Sequence, residues 1–99
     1  MKHRTYIADM VDDYTGEILD SFTYHDVFLN KRIVNDTIKN MISYTDNHLP
    51  VSYITSTISR CDDVNNEIPE IVCTIRCVIS SVKACVMING MATRLITVR

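Results

Sequence analysis

The chain has little glycine and little proline, with two residues of each among its 99. This low content of glycine and proline argues against a flexible linker or a disordered tail. Phosphate-binding loops need closely spaced glycines, whereas Gly16 and Gly90 lie near opposite ends of the chain. The sequence therefore predicts a single ordered domain, residues 1–99, without a glycine-rich phosphate loop.

Long uncharged apolar runs are also missing. None approaches the ~20 residues that a membrane-spanning helix requires, and no apolar segment of a secretory leader precedes Asp9. We therefore expect a cytoplasmic protein that does not insert into a membrane.

The cysteines lack the spacing of a metal site. Their pattern is C-x11-C-x3-C-x7-C, without the C-x2-C pairs or neighbouring histidines of zinc sites, at Cys61, Cys73, Cys77 and Cys85. Three of them lie in a Val/Ile-rich stretch, where Cys acts as a small buried hydrophobic residue. We expect reduced thiols, no metal and no cofactor.

Catalytic and calcium-binding patterns are not found either. His3, His25 and His48 are widely separated in the sequence, and Cys61, the cysteine nearest a loop, has no glycine turn to form an oxyanion site. The acidic segment 62–70 lacks the Gly and Glu positions of a calcium loop. The sequence therefore predicts a protein that is not an enzyme.

Acidic residues are absent from the end of the chain. Residues 1–70 hold all 12 Asp and Glu with six Lys and Arg, whereas residues 71–99 hold only cations, namely Arg76, Lys83, Arg94 and Arg99. This split predicts either a surface that faces an anion or an internal electrostatic match between the two parts.

Two β-prone runs, 5–11 and 17–24, flank the polar segment 12–16. Aspartate favours the start of a turn and Gly16 supplies a residue with positive φ, so these runs predict a β-hairpin. On its second strand we expect one face to hold Ile18, Asp20, Phe22 and Tyr24.

A helix is predicted from Asp26, as its N-cap, to about Tyr44. Asn47 and Pro50 supply its end, and a strand over 51–61 follows. The apolar residues at helical spacing are Val27, Val34, Ile38, Met41 and Ile42.

Residues 70–88 fit two periodicities. With helical periodicity they form an amphipathic helix, with Pro69 in its first turn and Gly90 beyond its end. With strand periodicity, in which alternate residues share a face, they form two strands joined by a two-residue turn at Ser80-Ser81, and Asn89-Gly90 then starts a further hairpin.

We favour the two strands, because Val, Ile and Thr make up half of residues 71–88 and suit a pleated surface better than a helix. In that arrangement Ile79 opposes Val82 and Ile75 opposes Val86. The predicted fold is α+β, an antiparallel sheet with one helix packed on it, in the order β-β-α-β-β-β-β. The helical alternative gives β-β-α-β-α-β.

The last strand, 91–98, has no Pro and one internal charge, Arg94. Such an edge is open to pairing with another strand. It favours a homodimer formed by edge pairing.

Three cations form the candidate binding site. In the strand interpretation Arg76, Lys83 and Arg94 share the face opposite the apolar one, and Arg76 and Arg94 flank Cys85. Without a nearby carboxylate they suit a phosphate, a nucleotide, a nucleic-acid backbone or an acidic partner. A solvated sheet face, or pairing with the acidic loop 62–70, is the alternative interpretation.

Nucleic acid is the least favoured of these partners. No aromatic residue follows Tyr53 to stack on bases. The pI near 5.8 also differs from the basic values typical of nucleic-acid-binding domains.

The tyrosines bear on partner binding as well. A domain of this size cannot bury all five completely, and exposed Tyr is favoured at interfaces. Partial burial around a small core is the alternative. The five are Tyr6, Tyr14, Tyr24, Tyr44 and Tyr53.

The hairpin segment 13–19, Asp-Tyr-Thr-Gly-Glu-Ile-Leu, carries a D-x-T-G-E-I turn. In this turn it resembles the opening hairpins of small bacteriophage-encoded accessory proteins. The resemblance is confined to this hairpin and carries over no functional residue. It implies a cytoplasmic accessory protein that binds a host or viral component, such as an inhibitor of a host defence or polymerase system.

These observations predict a small non-enzymatic interaction protein that binds and modulates a partner protein, with Arg76, Lys83 and Arg94 as binding residues. The alternative is a module that binds a phosphate-bearing small ligand or nucleotide signal.

Overall fold

The computed structural model describes residues 3–47, 53–61, 69–79 and 83–97. The α+β class expected from the sequence, a sheet with one helix on it, is confirmed for these residues. The elements are β1 (Arg4–Asp12), β2 (Ile18–Asp26), α1 (Lys31–Asn47), β3 (Tyr53–Cys61), β4 (Glu70–Ile79), β5 (Lys83–Ile88) and β6 (Met91–Thr97).

All six strands belong to one antiparallel sheet in the order β2-β1-β3-β4-β5-β6. The described residues of 70–88 are strands, β4 and β5, rather than a helix. Their β-branched side chains lose rotamer freedom in a helix but pack well on a pleated sheet, which accounts for the outcome.

The core lies between α1 and one face of the sheet. Alternate residues of β1, β3 and β4 point towards the helix, as is usual for a sheet covered on one side. All four cysteines are free thiols, and two of them lie in this core. The buried apolar residues are Tyr6, Ala8, Met10, Ile33, Ile38, Met41, Ile54, Ile58, Cys73, Ile75, Cys77 and Val86.

The first hairpin differs from expectation at Ile18. A register shift between Met10 and Val11 places Ile18 opposite Val11, while Leu19 packs against the core. Phe22 also packs there, as predicted, but Ile18 is on the opposite face and 60% exposed. The extra residue of the bulge reverses the alternation, which a period-two pattern cannot anticipate.

The helix begins later than predicted, and its N-cap is Asn30 rather than Asp26. The Asn30 side chain accepts a hydrogen bond from the backbone N–H of Ile33 at 3.0 Å. Asp26 supports this cap by accepting a hydrogen bond from Asn30 Nδ2 at 2.8 Å. The backbone N–H of Val27, with Asn30 and Arg32, holds the pKa of Asp26 below its usual range.

The register of β4 and β5 is offset by two residues from the one predicted. Ile75 lies opposite Ile88 and Ile79 opposite Ala84, so four residues rather than two separate the last pair. The predicted turn at Ser80-Ser81 lies outside the described residues. An offset of two preserves which face each residue occupies but changes its neighbours.

The turn between β5 and β6 is as predicted. Ile88 lies opposite Met91, and both residues between them have positive φ, 51° at Asn89 and 82° at Gly90. Such a pair is typical of a type I′ hairpin, for which Asn-Gly is the preferred sequence.

Candidate functional site

The loop between β1 and β2 is a tightly hydrogen-bonded turn. Asp12 Oδ1 accepts from the backbone N–H of Tyr14 at 2.8 Å, and the Asp12 carbonyl accepts from Gly16 N–H at 2.8 Å. The hydroxyl of Thr15 accepts from the N–H of Glu17 at 3.2 Å. Gly16 has φ 75°, which its lack of Cβ makes inexpensive. These bonds constrain the backbone of the turn.

A second set of contacts fastens this turn to the sheet. The buried hydroxyl of Thr55 on β3 donates to Asp13 Oδ1 at 2.6 Å. Arg76 Nε on β4 lies 3.1 Å from Asp13 Oδ2 and 3.3 Å from the Thr55 oxygen. Asp13 thus ties the hairpin loop to two further strands of the sheet.

This arrangement projects one aromatic side chain into solvent. Tyr14 is 96% exposed, although its backbone and both preceding aspartates are held in place. Ile18, at the base of the same loop, is 60% exposed. We call Tyr14 and Ile18, with the supporting Asp13 and Arg76, the hairpin tip. An aromatic side chain on an anchored backbone, with an apolar neighbour, is suited to fill a pocket on another protein, because the backbone loses little conformational entropy on binding.

The strands that carry the predicted cation site pair in a different register from the one expected. Arg76 lies opposite Met87 rather than Cys85, and Lys83 is four residues further along β5. Four residues of strand correspond to about 13 Å, twice the separation that the predicted register implied. Arg76 is also ion-paired, with a carboxylate that lies far from it in sequence.

Arg94 is separated from Arg76 by a change of register. Its Cα partner is Val86, which is buried on the helix side, whereas Cys85 lies opposite Leu95. A shift between Val86 and Met87 puts one extra residue into β6 and changes the alternation there. The backbone register thus differs from the one on which the predicted patch rested, and the role of the three cations in binding stays a prediction.

A groove of about 670 Å³ lies beside the start of α1, over the β4–β5 end of the sheet. Lys31 stands at its rim and makes no ion pair with any residue that the structure describes. The volume of the groove lies in the range of small-molecule binding sites. Its lining consists of Leu29, Asn30, Lys31, Val34, Asn35, Cys73, Ile88 and Asn89.

Two of the four thiols, those of Cys73 and Cys77, have the environment of core residues. Burial raises the pKa of Cys77 to about 11, with a further contribution from the nearby Cys85. Burial also raises the pKa of Cys73. A raised pKa removes the thiolate that nucleophilic chemistry needs.

The structure describes two of the three histidines. His25 Nδ1 is 3.3 Å from the Thr5 hydroxyl, His3 is exposed, and His48 lies outside the described residues. No three His, Cys, Asp or Glu side chains of the described ranges group together as metal ligands do. Most of the acidic loop 62–70 is outside those ranges. Within them, Glu70 accepts a hydrogen bond from the Arg60 guanidinium at 2.7 Å.

In the described part of the chain, no helix has the length and apolar character needed to cross a membrane. Comparison of the sequence with protein-family models and with curated proteins, and of the structure with solved structures, found no match.

The hairpin tip was not among the binding sites predicted from the sequence. The five tyrosines indicated that some would be exposed, and Tyr14 is, whereas Tyr6 is buried and Tyr24 and Tyr44 pack partly against the core. The position of Tyr14 inside a predicted turn was the available signal, because a turn residue has fewer neighbours than a strand residue.

Proposed function

We propose that the chain is a small non-enzymatic interaction protein that binds and modulates a partner protein, and that the hairpin tip is its main contact. The observation that carries this proposal is the 96% exposure of Tyr14 on an anchored turn. Tyr is among the residues that contribute most to binding when they enter a pocket.

The polar surroundings of Tyr14 suit a protein partner. The exposed Glu17 follows it in the loop, and the Nη nitrogens of Arg76 have no hydrogen bond to a described residue. A central aromatic with charges of both signs around it is the usual composition of a protein–protein contact. Arg76 therefore keeps a place in the proposed site, at the periphery rather than in a patch with Lys83 and Arg94.

Substitution of Tyr14 tests the proposal directly. Because Tyr14 makes few contacts within the chain, Tyr14→Ala should leave the thermal unfolding midpoint unchanged. It should weaken binding to the partner by about 30-fold, the effect of losing a hot-spot side chain. The measurement is affinity capture from a lysate of the native host, followed by titration of the purified partner with both proteins.

Phe28→Ala is the matched control. Phe28 is also aromatic and 60% exposed, but it lies beyond the other end of β2 from Tyr14. Its removal should leave partner binding unchanged. Equal binding by wild type and Tyr14→Ala, or equal losses in the two variants, would exclude the hairpin tip as the main contact.

The groove beside α1 favours a second candidate function, binding of a phosphate-bearing small ligand. The supporting observations are the volume of the groove and the ammonium of Lys31, which is unpaired among the described residues. Titration with ADP and with inorganic phosphate tests it by calorimetry. Lys31→Gln should abolish binding, whereas Lys39→Gln, which removes an exposed lysine further along the helix, should not.

A further inference from the structure

The groove beside α1 has an apolar interior. Its sheet side is formed by the buried Cys73 and the partly buried Ile88, and its helix side by Leu29 and Val34. Burial raises the pKa of Cys73, so its thiol is neutral. A volume of about 670 Å³ is far more than a phosphate group fills. Most of the groove is therefore left for the rest of the ligand, and the surface that this part meets is apolar.

The amide groups at the edge of the groove are already hydrogen-bonded within the chain. Asn30 Oδ1 accepts from the N–H of Ile33 at 3.0 Å, and its Nδ2 donates to Asp26 at 2.8 Å. Asn89 Oδ1 accepts from the backbone N–H of Thr74 at 3.0 Å. Among the described residues that line the groove, none is aromatic. A nucleobase, which proteins hold by stacking and by hydrogen bonds to its edges, therefore finds little to bind here.

The apolar surface continues from the groove to the edge of the sheet. Ile88 on β5 lies opposite Met91 on β6, and residues directly opposite each other in an antiparallel pair project from the same face. Met91 is 73% exposed, because α1 packs mainly on β3 and β4 and β6 lies two strands away from β4. Ile88 and Met91 thus form an apolar strip that leads out from beneath α1. A methionine side chain adapts readily to apolar ligands.

The rim of the groove carries a positive charge at Lys31. The two carboxylates five residues away along the chain are both engaged elsewhere. Asp26 pairs with Arg32 at 3.2 Å, and Asp36 accepts from the Tyr24 hydroxyl at 2.5 Å. Within the described part of the chain, the ammonium of Lys31 thus keeps its charge available to an anion. Its long aliphatic stem lets it follow a ligand along the rim.

We propose that the groove binds an amphiphile with a phosphate head group and a single hydrocarbon chain, taken up as one molecule from solution. This inference rests on the second candidate function above, phosphate binding by the groove, and names the body of the ligand. The head group pairs with the ammonium of Lys31. The chain lies between Val34 and Ile88 and ends against Met91, so that its methylenes leave water.

A series of alkyl phosphates tests the class of ligand. Hexyl, octyl and decyl phosphate are titrated into the protein by calorimetry, each below the concentration at which it forms micelles. Each methylene that leaves water contributes a similar free energy, so the affinity should rise by about fourfold per methylene. Inorganic phosphate and ADP lack the chain and should bind more weakly than decyl phosphate.

Lys31→Gln tests the position of the head group. It should weaken all three alkyl phosphates by about tenfold, the effect of losing one charged hydrogen-bond donor, and should leave the gain per methylene unchanged. Lys39→Gln, which removes an exposed lysine further along α1, is the control and should bind as wild type does.

Met91→Ala tests the position of the chain end. Because Met91 is exposed, the substitution should not change the unfolding midpoint. It should weaken decyl phosphate by about fivefold and leave hexyl phosphate unaffected, since only the longer chain reaches β6. Ile71→Ala is the matched control. Ile71 is 63% exposed but lies on the other face of the sheet, level with Ile7, so this variant should bind decyl phosphate as wild type does.

The possible failures can be told apart. An affinity independent of chain length, or ADP bound as tightly as decyl phosphate, overturns the amphiphile but leaves phosphate binding by the groove in place. Absence of binding by every probe overturns both. Binding to vesicles that contain phosphatidate, without binding to dissolved alkyl phosphates, overturns uptake of a single molecule. Decyl phosphate bound equally by wild type, Lys31→Gln and Met91→Ala overturns the assignment to this groove. None of these outcomes bears on the hairpin tip.

Discussion

Arg76 and Asp13 form an ion pair with Nε 3.1 Å from Oδ2, although they lie far apart in the chain. Asp13 belongs to the acidic part of the chain, residues 1–70. Arg76 belongs to residues 71–99, whose charged side chains are all cationic. At this position the acidic part of the chain is thus paired with the basic part within the molecule. Arg60 and Glu70 form a second pair, within the acidic part.

Asp13 should contribute more to stability than Arg76. Asp13→Ala removes the acceptor of the buried Thr55 hydroxyl as well as the ion pair, and should lower the free energy of unfolding by about 2 kcal/mol. Arg76→Gln removes a partly exposed pair and should cost about 0.5 kcal/mol, since solvent screens it. Urea denaturation of the two variants measures both values.

The double variant provides the control for this pair. If the side chains interact as described, the two losses should be less than additive by about 0.5 kcal/mol, and the coupling should shrink in high salt. Additive losses, or a larger loss for Arg76→Gln than for Asp13→Ala, would contradict the arrangement.

The sequence predicted the type of most elements because their patterns are local. Hydrophobic spacing indicated α1, and the β-branched content of residues 71–88 indicated strands. Register was predicted less well. The bulge that turns Ile18 outwards and the two-residue offset of β4 and β5 depend on how strands fit one another, which no single segment encodes.

The helix cap gives a prediction that departs from the general ranking of capping residues. Asp is usually as good an N-cap as Asn. Here Asn30 Nδ2 donates to Asp26, so Asn30→Asp would place two carboxylates together. We expect Asn30→Asp to have a lower unfolding free energy than wild type near neutral pH, measured by urea denaturation.

Asn30→Ser is the matched variant, because Ser caps a helix well without adding a charge. It should cost less than Asn30→Asp at neutral pH. The cost of Asn30→Asp should also diminish in acid, where one of the carboxylates is protonated. An Asp variant as stable as wild type would show that Asp26 does not hold the cap.

Tyr24 should make stability sensitive to alkaline pH. Burial and the hydrogen bond that its hydroxyl donates to Asp36 at 2.5 Å raise its pKa from about 10 to about 12. The folded chain therefore holds this proton more tightly than the unfolded chain. The stabilisation is fully present below pH 10 and is lost as the pH rises towards about 12.

Tyr24→Phe isolates that contribution. The variant should be less stable near neutral pH by about 1 kcal/mol and should lose less stability than wild type between pH 10 and about 12. The two proteins differ only in the Tyr24 hydroxyl, so the difference between the two curves reports this group. Parallel curves would contradict the raised pKa.

The candidate site was harder to predict than the fold for a physical reason. The turn that carries Tyr14 is anchored by contacts of its neighbour Asp13 with Thr55 and Arg76, on strands that follow much later in the chain. The cation patch rested on strand registers that bulges and turn lengths decide, and these registers differ from the predicted ones.

Cysteine reactivity separates the buried thiols from the accessible ones. Cys77 is buried and has a pKa of about 11, and the pKa of Cys73 is also raised, so few thiolates are available to react. Cys61 and Cys85 are less buried. We therefore expect iodoacetamide at pH 8 to label Cys61 and Cys85 first, and Cys73 and Cys77 only when urea unfolds the chain, as peptide mass spectrometry would show.

A denatured sample, in which all four sites should react at similar rates, is the control. Early labelling of Cys77 in the folded protein would contradict its position between the sheet and α1.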